Sequence, residues 1–218
     1  MSGAKSTRQQ VIDWNRHLAA ASPEEVTAWA VGAFGSDLVV ACSFSREDAV
    51  VVDLFSRRLS PVPVFALDTG RLPEETYLAA GALAARYGLQ IEWFCPQAEA
   101  VEQLVRLKGT YSFRESLSNR HECCRVRKVE PLSRALRGRA AWITGLRRDQ
   151  SVTREALDVV EYDEAHGGLV KVNPLAGWTG EQVGAYAAEH GVPIHPLHRQ
   201  GYPSIGCAPC TRAVLEGE

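Results

Sequence analysis

Thiols and cations carry the most specific chemistry in this sequence. The stretch "HECCRVRKV", residues 121–129, sets Cys123 and Cys124 side by side ahead of Arg125, Arg127 and Lys128, and "GCAPC" spaces Cys207 and Cys210 as C-x-x-C. Neighbouring cysteines joined by a trans peptide do not easily reach the Cα separation and dihedral of a disulfide. The pair therefore packs, reacts or binds something. Four thiolates can close a tetrahedral zinc site or hold an iron-sulfur cluster. Zinc ligand pairs are usually spaced by roughly two to four residues, which "CAPC" satisfies and "CC" does not. Adjacent side chains on a helix point about 100° apart, so both reach one centre only if it is large or the backbone is strained. That spacing favours a cluster. Cys42 and Cys95 fall in the apolar runs "LVVACSF" and "IEWFCP" and read as small buried hydrophobes.

Three further loops could hold an anion. In "SFSRED", Ser43 and Ser45 supply hydroxyls and a following helix start supplies free N–H groups. The same residues fit plain N-capping by Ser45 with Asp48 at the third helical position equally well. In "LDTGRL", Gly70 permits a turn that lets a ligand approach the backbone. In "GLRRDQSVTR", Gly145 precedes Arg147, Arg148 and Arg154, whose guanidinium forks match oxyanions; a solvated charge run is the alternative. His195 and His198 in "VPIHPLHRQGYPSIG" read as surface or hydrogen-bonded loop residues.

These loops need a scaffold. "DLVVACSF" (37–44), "VPVFALDT" (62–69), "LQIEWFCP" (89–96) and "AAWITGL" (140–146) read as buried strands. Residues 46–59, 73–88 and 97–109 have helical spacing between them; Pro73 suits a first helical turn and Gly88 a stop. Ser22 and Glu25 form a capping box for a further helix. From about Asp158 the pattern loosens to two strands ("DVVEY", "LVKVNPL"), a helix near "GEQVGAYAAEHG" and the histidine loop. Alternating strand and helix predicts an α/β fold, a parallel sheet covered on both faces. The loops above then lie at its carboxyl end, where such sheets bind ligands. With no repeat or linker, one domain spanning 1–218 is expected.

With 45% apolar and 23% charged residues and a formal net charge of -2, the composition is that of a soluble protein without a nucleic-acid footprint. No apolar run suits a signal peptide or a membrane span, so a cytoplasmic location is expected. A reducing cytosol makes disulfides unfavourable and moves the cysteines toward metal binding or catalysis.

Taken together, "ECCRVRKVEPL", "GYPSIGCAPCTRAV", "SFSREDAVVVDLF", "LDTGRLPEETY" and "WITGLRRDQSVTR" closely resemble the assimilatory adenylyl-sulfate (APS) reductases, in order from about residue 37 to 214. The paired cysteine motifs place the resemblance in the iron-sulfur branch. Typical relatives using 3'-phosphoadenylyl sulfate (PAPS) lack both motifs, so APS is the implied substrate. The resemblance implies an adenine-nucleotide hydrolase-like α/β fold with a modified PP-loop. That loop is matched by Ser43, Phe44, Ser45 and Asp48 and lacks the paired glycines of ATP pyrophosphatases. It implies that Leu67, Asp68, Thr69, Gly70, Arg127, Lys128, Gly145, Arg147, Arg148 and Arg154 complete the substrate site. Cys123, Cys124, Cys207 and Cys210 would ligate one 4Fe-4S cluster, with Lys128 linking cluster and sulfate electrostatically.

The implied reaction is reduction of APS to sulfite and AMP by thiolate attack on sulfur, with thioredoxin as reductant of the S-sulfocysteine. In this family the nucleophile sits in a Glu-Cys-Gly-Leu-His motif beyond the C-x-x-C, and these 218 residues contain none. They read as a truncated or trimmed form that binds APS without turnover. PAPS specificity, a PP-loop ATP pyrophosphatase and a zinc-stabilised nucleotide-binding module are the rival readings. Oligomeric state is open, a homo-oligomer included.

Overall fold

A computed structural model describes residues 6–214; residues 1–5 and 215–218, included in the single-domain expectation, lie outside the described residues. The β-branched runs become β1 (Leu38–Ala41), β2 (Val64–Leu67), β3 (Glu92–Phe94) and β4 (Ala141–Ile143), followed by β5 (Val160–Asp163) and β6 (Leu169–Val172). They form one sheet in the order β3-β2-β1-β4-β6-β5. Val40 at its centre lies opposite Val64 on one side and Ile143 on the other, both parallel. Only β5 runs antiparallel, against β6. The α/β fold with a mostly parallel sheet is thus as the sequence predicts.

Parallel neighbours need crossovers, which helices supply. Helices α1 (Arg8–Leu18) and α2 (Pro23–Phe34) precede the sheet, α3 (Arg46–Ser56) joins β1 to β2, and α4 (Glu74–Tyr87) joins β2 to β3. Ser22 and Glu25 cap α2 reciprocally, and Gly88 ends α4 in the left-handed conformation. Pro73 is the N-cap of α4 instead of a member of its first turn. Helix α1 was not anticipated, although Thr7 and Gln10 form the capping box that could have announced it. Its Asn15 Oδ1 accepts from the amides of Val159 and Val160, fixing α1 beside the outer strand.

The period of two sorts the strand side chains. Leu38, Val40, Val64 and Ala66 enter the main core with α3, while Val39 and Phe65 face a second cluster with Ala135 and Leu136. Burial on both faces explains why the central runs are continuously apolar. The edge strand departs from this. Glu92 and Trp93 of β3 are exposed at the sheet's edge, where β2 is the strand's sole neighbour among the described residues. The expectation of a buried third strand is therefore corrected. With it goes the core reading of Cys95, which is exposed just past that edge; Cys42 is buried as expected.

After α5 (Ala98–Lys108), a helical stretch runs through α6 (Leu117–Cys124) and α7 (Glu130–Ala135), joined by a π-helical turn at Arg125–Val129. Within it the Glu130 amide donates to the Arg125 carbonyl, five residues back. Pro131 supplies the reason: it has no N–H for the Arg127 carbonyl, and its ring would strike that carbonyl in a regular α-helix. Helix α8 (Gly180–Glu189) packs on α3, and the last described segment returns over the carboxyl end of the sheet. Among the described residues no helix is long and apolar enough to cross a membrane.

Candidate active site

Strand order reverses between β1 and β4, so the loops leaving them diverge and open a crevice at the carboxyl end of the sheet. A cavity of about 430 Å3 occupies it. Its walls bring together Ser43, Phe44, Ser45 and Asp48 after β1, Leu67 at the end of β2 and Thr69 after it, Gly145 after β4, and Lys128, Arg154 and Cys207 from elsewhere in the chain. A larger cavity of about 690 Å3 at the amino end of the strands is lined by none of the residues singled out in sequence.

The loop after β1 is wound around Asp48. Its Oδ2 accepts from both the amide and the hydroxyl of Ser43 at 2.6 Å, while Ser45 caps α3 by accepting from the Asp48 amide at 3.4 Å. Ser45 is the N-cap that the capping reading of "SFSRED" predicts, and the loop also faces the cavity. Phe44 takes φ 64°, a strained conformation for a non-glycine residue, and packs its buried ring 5.5 Å from Trp93. Burial holds the Asp48 carboxyl above its ordinary range, and the Ser43 hydrogen bonds oppose the shift. Gly145 leaves the room: a Cβ there would stand 2.5 Å from Asp48 Oδ1 and 2.9 Å from its amide.

The turn after β2 is tied to the cysteine region. The Thr69 carbonyl accepts from Arg127 Nη1 at 2.7 Å, and the Thr69 hydroxyl accepts from the Cys207 thiol at 3.2 Å. The Ala208 amide donates to the Arg71 carbonyl at 2.8 Å. Asp68 and Gly70 stand outside the cavity wall, with Asp68 accepting from the Gly70 amide and the Tyr77 hydroxyl. Gly70, at φ 68°, would present a Cβ 3.3 Å from Arg127 Nη1.

The three arginines after β4 separate. Arg147 is buried, paired with Glu47 at 2.8 Å and with Asp149 at 3.0 Å, and so clamps α3 to the β4 loop. Arg148 donates to the Leu157 carbonyl at 2.7 Å, away from the cavity. Arg154 alone of the three lines the cavity, held by Gln150. Glu47, Gln150 and the Pro203–Gly206 stretch were missed in sequence. The Glu47–Arg147 contact spans a hundred positions, and no local pattern reveals it.

Cys123 and Cys124 end α6, just before the π turn that carries Arg127 and Lys128. Burial raises the Cys123 pKa, and the neighbouring Cys124 and Cys207 thiols raise it further, while Arg71 and Arg127 pull it down. Cys207 is half-buried and Cys210 exposed. No group of three or more His, Cys, Asp or Glu side chains is gathered for a single metal ion among the described residues. The chemistry of the donor set nevertheless suits a larger anionic group. Arg71 and Arg127 act on the Cys123 thiol, and the buried Arg127 Nε has no hydrogen-bond partner among the described residues. A buried donor left unpaired in this way is costly unless a ligand reaches it.

Residues 37–213 match the model of the phosphoadenosine phosphosulfate reductase domain. The adenosine 5'-phosphosulfate reductase of Allochromatium vinosum is 49% identical over 83% of this chain and 70% of its own length. The chloroplastic 5'-adenylylsulfate reductase 3 of Arabidopsis thaliana is 44% identical over 93% of this chain and 45% of its own. The crystal structure of a phosphoadenylyl-sulfate reductase from Candida auris, in complex with phosphate, superposes with a TM-score of 0.82 at 32% identity, covering 96% of this chain and 99% of that one. A cavity at the strand-order reversal, walled by a serine loop and a cysteine turn, thus coincides with sequence likeness over nearly the whole sheet, and the chain belongs to the phosphoadenosine phosphosulfate reductase domain family.

Proposed function

We propose that the chain is the nucleotide-binding core of an APS reductase that converts adenylyl sulfate to sulfite and AMP in the cytoplasm, with thioredoxin as reductant. One observation carries this reading: the nucleotide loops and Cys207 line the same cavity, with Lys128 and Arg154 beside them. The relatives named for adenylyl sulfate support APS over PAPS. The Asp48 carboxylate already takes the amide and hydroxyl donors of Ser43. In the proposed reaction a thiolate attacks the sulfate sulfur, forming an S–S bond as the S–O bond to AMP breaks. The thioredoxin dithiol then supplies two electrons, releasing sulfite and restoring the thiol. None of the six cysteines is assigned the attack: Cys42 is buried with a pKa well above its ordinary value, chiefly through burial, Cys95 lies outside the cavity wall, and the other four are assigned to the cluster.

Cys123, Cys124, Cys207 and Cys210 would hold one 4Fe-4S cluster. When bound it would supply a fixed charge distribution beside the sulfate. Lys128, exposed and at the cavity wall, neutralises charge that grows on the phosphosulfate as the S–O bond breaks. Arg154 faces the same space from the opposite loop, while Arg147 holds that loop to α3 without touching substrate.

The test is calorimetric binding of adenylyl sulfate, PAPS and ATP to the anaerobically purified chain, beside iron and sulfide analysis. Expected are preferential binding of adenylyl sulfate, about four irons and four sulfides per chain, and no sulfite release with thioredoxin. Lys128→Ala should weaken binding about tenfold with an unchanged melting temperature. Equal affinity for ATP, or zinc without sulfide, would overturn the assignment.

A further inference from the structure

The histidine loop ties the two halves of the site together. His198 Nε2 accepts the amide N–H of Arg46, the first residue of α3, at 3.1 Å, and its Nδ1 donates to the Tyr202 carbonyl at 2.8 Å. An amide N–H only donates and a carbonyl only accepts, so these partners fix a neutral imidazole protonated at Nδ1. Three residues earlier, fully buried His195 accepts the Leu197 amide at Nδ1 and donates from Nε2 to Thr76 in the first turn of α4. One short segment, residues 195–200, is therefore pinned to the starts of the two helices that follow the nucleotide loops. Immediately after it, residues 203–207 wall the cavity and deliver Cys207 to Thr69.

We propose that His198 is a positioning residue, a clasp whose neutral imidazole holds the first amide of α3 and thereby sets the serine loop and the Pro203–Cys207 wall at the spacing the nucleotide needs. The proposal rests on the nucleotide-binding reading above. His198 itself does not line the cavity, so its effect passes through the α3 amide. A second proton, on Nε2, would turn the acceptor into a donor facing another donor, and the clasp would open. Arg46 and Glu47 face the imidazole from α3 and His195 from its own loop, with Glu75 of α4 beside His195. Burial is the main cause that keeps His198 below the ordinary histidine value of 6.5; Arg46 acts in the same sense, and the Tyr202 bond and Glu47 oppose it. The clasp is closed at neutral pH.

Amide hydrogen exchange at Arg46 and calorimetric titration with adenylyl sulfate, on the same protein, test this. His198→Leu should exchange Arg46 faster and bind adenylyl sulfate about tenfold more weakly, as expected when a buried donor loses its acceptor, with unchanged far-ultraviolet circular dichroism. His198→Gln, which offers one acceptor and one donor, should restore both readouts. As pH falls below 6.5 the wild type should lose Arg46 protection, whereas His198→Gln should not. Unchanged protection and affinity in His198→Leu, or a His198→Gln variant as impaired as His198→Leu, would overturn the clasp. If the wild type fails to bind adenylyl sulfate, the functional reading falls while Arg46 exchange still decides the clasp.

Discussion

Arg147 and Arg154 have the same side chain and nearly the same place in sequence, yet their surroundings assign them different work. Arg147 is buried against Glu47, and its Nη1 reaches Asp149 and the Trp178 carbonyl, so four of its five N–H donors are engaged within the protein. Arg154 keeps its place on the cavity wall. Removing one partner of a buried ion pair leaves the other charge uncompensated. Arg147→Ala should therefore lower unfolding stability by about 3–5 kcal/mol in urea denaturation. Arg154→Ala should leave stability nearly unchanged. The distinction was not legible in "GLRRDQSVTR", because the carboxylate that decides it lies on another helix.

At the level of elements, the π turn places the cations. Because Pro131 cannot bond the Arg127 carbonyl, the helix widens by a residue, and Arg127 reaches the Thr69 carbonyl while Lys128 reaches the cavity. Pro131→Ala restores the missing donor and lets the helix close to regular α-spacing. That change would rotate the preceding residues by up to about 100°. The variant is expected to bind adenylyl sulfate about tenfold more weakly, with helix content by circular dichroism unchanged or higher. Wild-type affinity in Pro131→Ala would show that the turn does not position these cations. The residues for this device were all visible in "CCRVRKVEPL"; their consequence was not, since propensity alone does not distinguish a kink from a π turn.

Across the whole molecule, the histidine loop links local protonation to global stability. Burial, with His198 second, holds His195 at about 4, against an ordinary value of 6.5. The unfolded chain thus takes up a proton that the folded chain refuses. The contribution of His195 is complete above pH 6.5 and is lost as pH falls toward about 4, a gap worth roughly 3 kcal/mol. Urea unfolding of the wild type should weaken over that interval, and His195→Gln should show a flatter acid limb. Equal slopes would mean that His195 is already solvated in the folded state. In sequence this residue read as a surface or loop histidine; only the packing of its loop against α4 buries it.

Period and punctuation were enough to determine the central strands, the crossover helices, the capping box at Ser22 and the stop at Gly88, because these depend on neighbours a few residues away. The sequence also marked the residues that meet at the carboxyl end of the sheet, since strand-helix alternation dictates which loops gather there. Tertiary structure decided the rest. It set β3 at an edge and exposed Cys95, gave Arg147 to Glu47 and left Arg154 to the cavity, and brought Cys207 to Thr69 across more than a hundred residues. Those outcomes follow from long-range contacts in a packed interior, where a charge or thiol takes whichever partner the fold brings within reach.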